Sequence, residues 1–356
     1  MSEISTKAFF IQRCIQLAKK GINHVSPNPM VGSVITIADA SAKHGQRIVG
    51  EGYHKMFGGP HAEVNAINSV AENVDWSKCT IYVSLEPCNH FGKTPPCSHL
   101  IVEKGIKKAV VGALDPNPLV AGKGIEYLIS NGVKVEFGIL EKDCFELNSV
   151  FNTFYLKKRP FILLKWAQTT QKHIADTDFN SKWISNPKSR QLVHKWRSQV
   201  AAIMVGTNTA IYDNPSLTTR LWAGTSPTRI LVDRKLKVNQ SHNLFNTEAP
   251  TIILNETLEK EVGNLKWVAM KDFSAKGIVN KLYELNIQSV LIEGGSQLLQ
   301  SFLDQNLWDE ARVFTGTKEF DKGITAPKVD APVLAELKID CDKLEIYLNN
   351  QKPNNE

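Results

Sequence analysis

The sequence has no long apolar run, no leader-like start and little cysteine. No window approaches the ~18 consecutive apolar residues of a membrane span, and the first residues lack the basic, apolar and small-residue order of a signal peptide. Six cysteines in 356 residues are too few for a disulfide framework. We therefore expect a cytoplasmic protein without a membrane partner, in which a clustered cysteine pair binds a metal or takes part in catalysis.

Positive charge is not concentrated in any one segment, although the net charge is +6. Residues 1–148 contain 15 basic and 14 acidic side chains, so almost all of the excess lies in the rest of the chain. Faces that bind polynucleotides usually combine dense Lys and Arg with aromatic residues. The diffuse excess suits small phosphorylated ligands at least as well, and charge alone leaves the partner open.

Two blocks of alternating strand-like and helix-like segments are present, in line with roughly 150 residues per domain. The first block predicts a three-layer αβα domain over 1–148. A second α/β domain is predicted over 161–348, after a linker over 149–160 that contains the basic run Lys157-Lys158-Arg159, and a tail follows over 349–356. The predicted strands lie near 31–37, 48, 80–84, 109–112, 136–140, 161–164, 201–205, 229–232, 251–254 and 289–292.

One short constellation in the first block carries the donors of a metal site. It consists of His61-Ala62-Glu63, followed by Pro87-Cys88 and by Cys97. One imidazole and two thiolates suit Zn²⁺, and three protein ligands rather than four leave a position for water, as in catalytic zinc sites. Zinc-bound water yields hydroxide near neutral pH, so His61, Cys88 and Cys97 are the predicted ligands of one zinc ion and Glu63 the predicted proton carrier.

Local sequence also predicts how these residues are held. Pro60 is typical of a helix start, so His61 and Glu63 are expected in one first turn, facing a site beyond its N-terminus. Cys88, after Pro87, is expected at a second helix start, whose positive potential would favour the thiolate.

The gap of eight residues between Cys88 and Cys97 is longer than that in the deaminase signature H-x-E…P-C-x-x-C. The segment from Pro87 to Cys97 resembles that of the RibD family of bifunctional riboflavin-biosynthesis deaminase/reductases. The same resemblance extends to Pro27-Asn28-Pro29-Met30-Val31-Gly32, Gly52-Tyr53-His54 and the run from Asp115 to Gly124. It implies a cytidine-deaminase-like fold that deaminates 2,5-diamino-6-ribosylamino-4(3H)-pyrimidinone 5′-phosphate, with substrate contacts from Asn28, His54 and, at the phosphate, Lys93.

The second block lacks the G-x-G-x-x-G fingerprint of dinucleotide-binding domains. It has instead a strand that runs through Glu293-Gly294-Gly295 into a helix start, which we expect Ser296 to cap. Backbone N–H groups at such a junction can bind a cofactor phosphate, although a plain tight turn gives the same pattern.

Further segments of this block resemble, in their order, the reductase domain of the same family: Leu164 to Ala167, Ser181 to Ser185, Val205 to Thr209, Asp213 to Arg220, and Glu293 to Gly295. The resemblance implies a dihydrofolate-reductase-like α/β domain that uses NADPH to reduce the ribosyl side chain to ribityl, giving 5-amino-6-(5-phosphoribitylamino)uracil. The implied NADPH contacts are Ala167, Trp183, Thr209, Asp213, Gly295, Ser296, Gln297, Leu298, Leu299, Gln300 and Ser301. The implied substrate contacts are Lys165, Ser181, Arg197, Leu217, Arg220 and Glu293, the two arginines being suited to the phosphate.

One segment departs from the family pattern. Where the family has S-L-D-G after the Lys165 strand, this chain has Thr169-Thr170-Gln171-Lys172, which alters a turn near the implied cofactor. A deaminase with a non-catalytic reductase-like domain is therefore an alternative, and a nucleic-acid-editing deaminase with the same zinc signature is another. The leading expectation is a bifunctional enzyme with a small phosphorylated pyrimidine substrate and no nucleic-acid partner, and the sequence leaves a homo-oligomer open.

Overall fold

The computed structural model describes residues 5–71, 73–91, 95–118, 120–181 and 183–349. The chain divides into two compact units, Met1–Lys158 and Arg159–Glu356. Among the described residues, no helix combines the length and the apolar character needed to cross a membrane.

The first unit is built on a mixed β-sheet. Its strands are β1 (Gly32–Ala38), β2 (Gln46–Tyr53), β3 (Cys79–Leu85), β4 (Lys108–Ala113) and β5 (Lys134–Phe137). Over the described residues their order is β2-β1-β3-β4-β5. β1 pairs antiparallel with β2 and β3, whereas β3, β4 and β5 run parallel. The carboxyl ends of β3 and β4 therefore meet at one edge of the sheet, where ligands of open α/β sheets commonly bind.

Helices cover both faces of this sheet, which confirms the three-layer αβα prediction. They are α1 (Thr6–Ala18), α2 (Ala62–Asn68), α3 (Cys97–Glu103), α4 (Lys123–Ser130), α5 (Glu141–Leu147) and α6 (Ser149–Lys157). On one face, Phe10 of α1 and Cys144 of α5 share a buried cluster. On the other face, Ile67, Ile101 and Leu128 of α2, α3 and α4 form a second cluster.

The segment expected as a linker, 149–160, instead forms α6 over most of its length. Phe151 and Phe154 of this helix are buried. The preceding Asn148 binds the backbone of Met30 twice, since its Nδ2 donates to the carbonyl at 2.9 Å and its Oδ1 accepts from the amide at 2.8 Å. The helix therefore belongs to the first unit. The boundary predicted from composition was displaced, because the basic run covers only Lys157 at the exposed end of α6 and the two residues that follow it.

The second unit contains a larger sheet. Its strands, with those of a small separate pair, are β6 (Phe161–Gln168), β7 (His173–Asp176), β8 (Ala202–Gly206), β9 (Thr228–Val232), β10 (Thr251–Asn255), β11 (Lys260–Val262), β12 (Leu265–Ala269), β13 (Ser289–Gly294), β14 (Glu310–Thr315), β15 (Gly323–Thr325), β16 (Val333–Ile339) and β17 (Asp342–Leu348). The order within the described residues is β11-β12-β10-β9-β8-β13-β6-β14-β17-β16, and β7 pairs with β15. The strands from β12 to β14 in this order are parallel, so their carboxyl ends also share one edge.

Helices again lie on both faces of the sheet, as expected for an α/β domain. They are α7 (Pro187–Arg197), α8 (Thr207–Asp213), α9 (Ala275–Glu284) and α10 (Ser296–Asp304). Val193 of α7 and Ala210 of α8 belong to one buried cluster. Ile278 of α9 and Phe302 of α10 belong to the other.

The turn between β6 and β7 keeps a closed geometry despite its departure from the family pattern. The amide of Thr169 donates to the carbonyl of His173 at 2.8 Å, and the amide of Lys172 donates to the carbonyl of Thr169 at 3.0 Å. Lys172 has φ +64°, in the left-handed region that favours glycine. Its side chain is exposed and gains no burial in return. The lysine therefore preserves the turn at a cost in backbone strain.

Replacing Lys172 with glycine should stabilise the second unit. Relief of left-handed strain is worth about 1 kcal/mol, and we expect the free energy of unfolding of Lys172→Gly to rise by that order in urea denaturation. Lys271→Gly is the control, because Lys271 is exposed and its φ is not positive. An equal gain in both variants would show that left-handed strain at Lys172 is not the cause.

Candidate active sites

His61 and Glu63 are positioned by the start of α2. His61 is the N-cap residue, with extended backbone (φ −70°, ψ 168°), and Ala62 begins the helix. Glu63 lies in the first turn and is 3% exposed. Because side chains in a helix tilt toward its N-terminus, both residues can face the space beyond the end of α2. This shared helix start is the arrangement expected from Pro60.

The two cysteines are positioned differently from the expectation. Cys88 lies in the loop after β3, whereas Cys97 is the first residue of α3, with Pro96 as N-cap. The prediction of a helix start at Cys88 is therefore wrong: α3 begins only at Cys97, after the extended Pro96. The amide of Cys97 donates to the Sγ of Cys88 at 3.4 Å. The helix start thus still stabilises a thiolate at Cys88, but through the second cysteine.

The donor atoms of the three predicted ligands converge. The Nδ1 of His61 lies 3.5 Å from the Sγ of Cys88 and 3.3 Å from the Sγ of Cys97. All three atoms lie within 4.8 Å of one another. Tetrahedral zinc, with Zn–N near 2.0 Å and Zn–S near 2.3 Å, needs N···S separations of roughly 3.5 Å. The residues present therefore fit a zinc ion.

The ionisation of these side chains also favours a cation. A hydrogen bond from Cys97, together with the nearby His61, lowers the pKa of Cys88 to about 4. The hydrogen bond to Cys88, together with burial, raises the pKa of Cys97 well above its usual value. The protein alone therefore stabilises one thiolate but not two. A divalent cation stabilises both thiolates, which is the charge state of a zinc site.

Glu63 lies beside this cluster in a desolvated position. Burial raises the pKa of the Glu63 carboxyl to about 7, although the nearby His61 opposes the shift. The hydrogen bond to Cys88 raises the pKa of His61 to about 9. Cation binding requires the neutral imidazole, so the protonated form of His61 belongs to the metal-free cluster.

The cluster opens onto a cavity of about 410 Å³, which Asn28, His54 and Glu63 line together with the metal-site residues His61 and Cys88. The Nδ2 of Asn28 lies 3.1 Å from the Nε2 of His54, and the Nδ1 of His54 lies 3.0 Å from the carbonyl oxygen of Pro60. Burial lowers the pKa of His54, which favours the neutral ring. That ring donates from Nδ1 to Pro60 and accepts at Nε2 from Asn28.

Two of the three predicted deaminase substrate contacts, Asn28 and His54, are thus brought together on one wall. The third, Lys93, lies outside the described residues.

Other walls of the cavity were not assigned from the sequence. Asp115 and Asn117 line it from the loop after β4, and Phe151 and Tyr155 line it from α6. Burial raises the pKa of Asp115 to about 6. The Asp115-to-Gly124 run, which carries part of the family resemblance, contains the signal for the polar pair. The aromatic pair gives no signal in the sequence, because it lies in the segment expected to be a linker.

In the second unit, three predicted substrate contacts form one buried cluster. Leu164 of β6 pairs with Ile292 of β13, so Lys165 and Glu293 follow side by side on parallel neighbours. Arg197, at the end of α7, donates from Nε and Nη2 to the two carboxylate oxygens of Glu293, each at 2.8 Å. Burial alone would raise the pKa of Glu293, but Arg197 and Lys165 lower it to about 2. Burial lowers the pKa of Lys165.

Two other predicted substrate contacts differ from this cluster: Leu217 is less accessible, and Arg220 lies apart from it. Leu217 is 3% exposed and its side chain packs into the core, so only its backbone can meet a ligand. Arg220 is exposed, and its Nη1 donates to the Oγ1 of Thr218 at 3.0 Å. Its amide donates to the Nδ1 of His194 at 3.0 Å. Burial, with the charges of Arg197 and Arg220, lowers the pKa of His194 to about 4.

The Gly-Gly junction lies at the carboxyl edge of the large sheet. Gly295 is the N-cap of α10, whereas Ser296 is its first residue and donates its hydroxyl to the carbonyl of Thr325 at 2.8 Å. The prediction that Ser296 caps the helix is therefore wrong, because β15 engages its hydroxyl. The peptide Gly294–Gly295 is cis. A Cβ on either glycine would lie 3.1 Å from the Oγ1 of Thr209, so the start of α8 closely approaches this junction.

The predicted cofactor contacts differ in how accessible they are. Leu299 is fully buried and Leu298 packs against the same core, while Gln300 accepts from the amide of Lys328 at 3.0 Å and Ser301 bonds within its own helix. Gly295, Ser296 and Gln297 at the start of α10 are therefore better placed for a ligand.

The remaining predicted contacts flank α8 and the loop before α7. Ser181 donates its hydroxyl to the Oδ1 of Asp213 at 2.7 Å. Trp183 is 65% exposed, with the Arg190 guanidinium 4.6 Å from its ring centroid. Ala167 lies on β6 near its end. The structure thus places Ser181 and Asp213 in contact, and leaves Trp183 largely exposed, with Arg190 over its ring.

Known families and proteins match both units. Residues 4–113 match the family model of the cytidine and deoxycytidylate deaminase zinc-binding region, and residues 160–320 match that of the RibD C-terminal domain. The riboflavin biosynthesis protein RibD of Aquifex aeolicus is 40% identical over 344 residues, which cover 94% of each chain. The RibD protein of Actinobacillus pleuropneumoniae is 40% identical over 87% of this chain and 83% of its own.

Solved structures give the same result. The crystal structure of a diaminohydroxyphosphoribosylaminopyrimidine deaminase/5-amino-6-(5-phosphoribosylamino)uracil reductase from Thermotoga maritima has a TM-score of 0.85 and 39% identity, covering 96% of this chain and 98% of its own. RibD of Acinetobacter baumannii has a TM-score of 0.86 and 30% identity, covering 98% of this chain and 100% of its own. The similarity therefore spans both units.

The neutral state of His194 predicts a pH dependence of stability. In the unfolded chain this imidazole binds a proton below its ordinary pKa of 6.5, whereas in the folded chain it does so only near 4. The stability that the neutral His194 contributes is therefore complete above about pH 6.5, and it is lost as the pH falls toward 4. Because water screens part of the arginine charge, we expect a loss of roughly 1–2 kcal/mol by pH 4.5.

His194→Asn tests this prediction, because the asparagine Oδ1 can accept the same Arg220 amide but does not titrate. We expect urea unfolding of the variant to lose less stability than the parent between pH 7 and pH 4.5. His242→Asn in the same unit is the control and should follow the parent. Identical pH profiles for the parent and His194→Asn would contradict the assignment.

Proposed function

Because the chain belongs to the RibD family of riboflavin-biosynthesis enzymes, and is itself a deaminase and a reductase of that pathway, we propose which residues of each unit perform the two reactions. The first unit would deaminate 2,5-diamino-6-ribosylamino-4(3H)-pyrimidinone 5′-phosphate in the 410 Å³ cavity. The second would reduce the ribosyl side chain to ribityl, giving 5-amino-6-(5-phosphoribitylamino)uracil. The observation that carries the proposal is the convergence of His61, Cys88 and Cys97 beside the buried Glu63.

The deaminase half depends on a zinc ion held by His61, Cys88 and Cys97. When bound, zinc acidifies water and so supplies a nucleophile near neutral pH. Glu63 would then carry two protons in turn: its carboxylate accepts one from the water and delivers it to the ring nitrogen, then accepts the second from the added hydroxyl and delivers it to the departing amine. One water enters and one ammonia leaves, so the amino group is replaced by oxygen. The first turn of α2 holds Glu63 beside the ligands throughout.

Asn28 and His54 are proposed to orient the heterocycle. They are hydrogen-bonded to each other on the cavity wall, and Pro60 fixes the tautomer of His54 by accepting from Nδ1. Each side chain is therefore already oriented before a ligand arrives, which reduces the entropy cost of binding. Lys93 is proposed to meet the substrate phosphate.

The reductase half depends on a nicotinamide cofactor, which we propose is NADPH. When bound, the cofactor would supply a hydride to C1′ of the ring-opened imine, while the imine nitrogen takes a proton from water and the oxidised cofactor leaves. The proposal is supported by three of the elements that carry predicted contacts: Ala167 lies near the carboxyl end of β6, and the helices α8 and α10 begin directly after β8 and β13, at the edge where such ligands bind in parallel sheets. Trp183 and Asp213 are proposed to complete the cofactor site. Lys165 and Glu293 are proposed to contact the ribose.

The two arginines have different roles in this proposal. Arg197 already uses Nε and Nη2 on Glu293, and its Nη1 donates to the carbonyl of Thr218 at 3.2 Å. Arg220 is exposed and bonds through Nη1 to a neutral hydroxyl. We therefore assign the substrate phosphate to Arg220, and to Arg197 the task of holding Glu293 ionised.

Both alternatives are less favoured. A non-catalytic second domain was suggested by the Gln171-Lys172 change, but the turn keeps its hydrogen bonds, and the match to the RibD C-terminal domain covers residues 160–320. A nucleic-acid-editing deaminase would lack this second domain. We propose a small-molecule pyrimidine substrate and no nucleic-acid partner.

Separate measurement of the two reactions tests the function. The purified protein is incubated with the diaminopyrimidinone ribosylamine phosphate without cofactor, with NADPH or with NADH, while ammonia release and cofactor oxidation are followed. We expect ammonia in every arm and cofactor oxidation with NADPH. Absence of ammonia would overturn the deaminase assignment. Ammonia with no cofactor oxidation would support the non-catalytic alternative, and faster oxidation of NADH would overturn the choice of NADPH.

Glu63→Gln tests the proton carrier. The amide keeps the shape of the side chain but cannot carry a proton, so deamination should fall by about 10²–10⁴-fold. Zinc content, measured by elemental analysis, and reductase turnover of the deaminated substrate should stay at the parent level, because neither uses Glu63. Deamination at the parent rate would remove Glu63 from the mechanism.

A further inference from the structure

A buried carboxylate that the proposed mechanism does not use lies between the metal-site loop and another wall of the cavity. Glu86 follows β3 directly, is 4% exposed and stands two residues before Cys88. Its own amide donates to the carbonyl of Ala113 at 2.9 Å, which extends the pairing of β3 with β4. The backbone of Glu86 is therefore fixed by the sheet, and its side chain points away from solvent.

The carboxylate of Glu86 receives four backbone amides of one segment. Oε2 accepts from Asp115 at 3.3 Å and from Gly122 at 3.0 Å. Oε1 accepts from Gly124 at 2.9 Å and from Ile125 at 3.4 Å. An ionised carboxylate offers about four acceptor positions, so these amides occupy all of them. The amides of Gly124 and Ile125 belong to the first turn of α4, and the dipole of this helix also favours the negative charge.

These four bonds hold both ends of the loop that joins β4 to α4. The loop carries Asp115, Asn117 and Val120, all of which line the cavity. The fixed Asp115 in turn accepts the amide of Asn117 on its Oδ1 at 2.8 Å. The carboxylate of Glu86 therefore fixes the position of this wall of the cavity.

The sequence of the loop matches this close approach. Gly122 has φ +79°, which an L side chain rarely adopts. A Cβ on Gly124 would lie 1.9 Å from the carbonyl oxygen of Pro87 and 3.2 Å from the Oε1 of Glu86. The Gly-Lys-Gly sequence thus allows the backbone to reach the Glu86 carboxylate and the peptide before Cys88.

We propose that Glu86 is a positioning residue for deamination, whose carboxylate holds the cavity wall formed by Asp115, Asn117 and Val120 in the shape that binds the pyrimidine substrate. Glu86 itself also lines the cavity, but its two oxygens accept the four backbone amides, so it acts through the backbone of that wall. The inference rests on the proposed location of the deaminase site in this cavity. It predicts that loss of the carboxylate weakens substrate binding more than it slows the chemical step.

Glu86→Gln is the direct test. The amide replaces one acceptor oxygen by an NH₂ group, which faces two backbone donors and can bond to neither. We expect the KM of deamination to rise by about 10-fold or more, as for the loss of hydrogen bonds to a charged group, with kcat changed by less than about 3-fold. Zinc content and reductase turnover on the same chain report whether the protein is intact. Glu103→Gln, at an exposed glutamate at the end of α3, is the matched control.

Gly124→Ala tests the same contact from the other side. The added Cβ pushes the start of α4 away from Pro87 while leaving Glu86 and the metal-site loop unchanged in sequence. We expect the same rise in KM, and a double variant whose effect is less than the product of the two single effects. If Glu86→Gln loses zinc, the KM of Gly124→Ala still tests the proposal.

The outcomes are distinct. A parent-level KM in zinc-loaded Glu86→Gln or in Gly124→Ala would overturn the proposal, and so would a fall in kcat at unchanged KM. Failure of the parent protein and of Glu103→Gln to release ammonia would instead overturn the proposed function of the cavity.

Discussion

Two sulfur atoms and one imidazole nitrogen lie so close together in the first unit that both sulfurs can be thiolates only with a cation beside them, and the surrounding elements bring the three atoms to one point. His61 is the N-cap of α2, Cys97 begins α3, and Cys88 follows β3, so the starts of two helices and the end of one strand must meet at one point. A parallel pair of strands provides this convergence, because the carboxyl ends of β3 and β4 meet at the same edge. The cavity exists where these ends meet.

In both units, charge that is buried is also paired. Glu293 is desolvated but receives Arg197 on both oxygens and has Lys165 beside it, which keeps it ionised. Glu86 receives four amides instead of a cationic side chain. A buried carboxylate without such partners would be protonated or would destabilise the fold. The requirement that a buried carboxylate be paired thus produces an ion-pair cluster in the second unit and a fixed loop in the first.

The sequence predicted residues whose chemistry is readable from spacing and type. His61, Cys88 and Cys97 form a donor set with few other uses, and their convergence follows from a known signature. The helix start at Cys88 could not be predicted correctly, because spacing does not reveal that α3 begins only at Cys97. Lys165 and Glu293 lie more than a hundred residues apart in sequence, and only the pairing of β6 with β13 brings them side by side. Their place was therefore known by resemblance and not by derivation.

Helix α6 is another element that could not be predicted from the sequence. Its position has a consequence for how the two activities can be separated. Its basic end suggested a join, yet its buried face and the clamp from Asn148 to Met30 attach it to the first unit. Phe151 and Tyr155 of this helix close part of the cavity. A deaminase carried on its own chain must therefore extend through Lys158. A gene split at residue 148 would encode every zinc ligand and still leave the catalytic chamber with an open side.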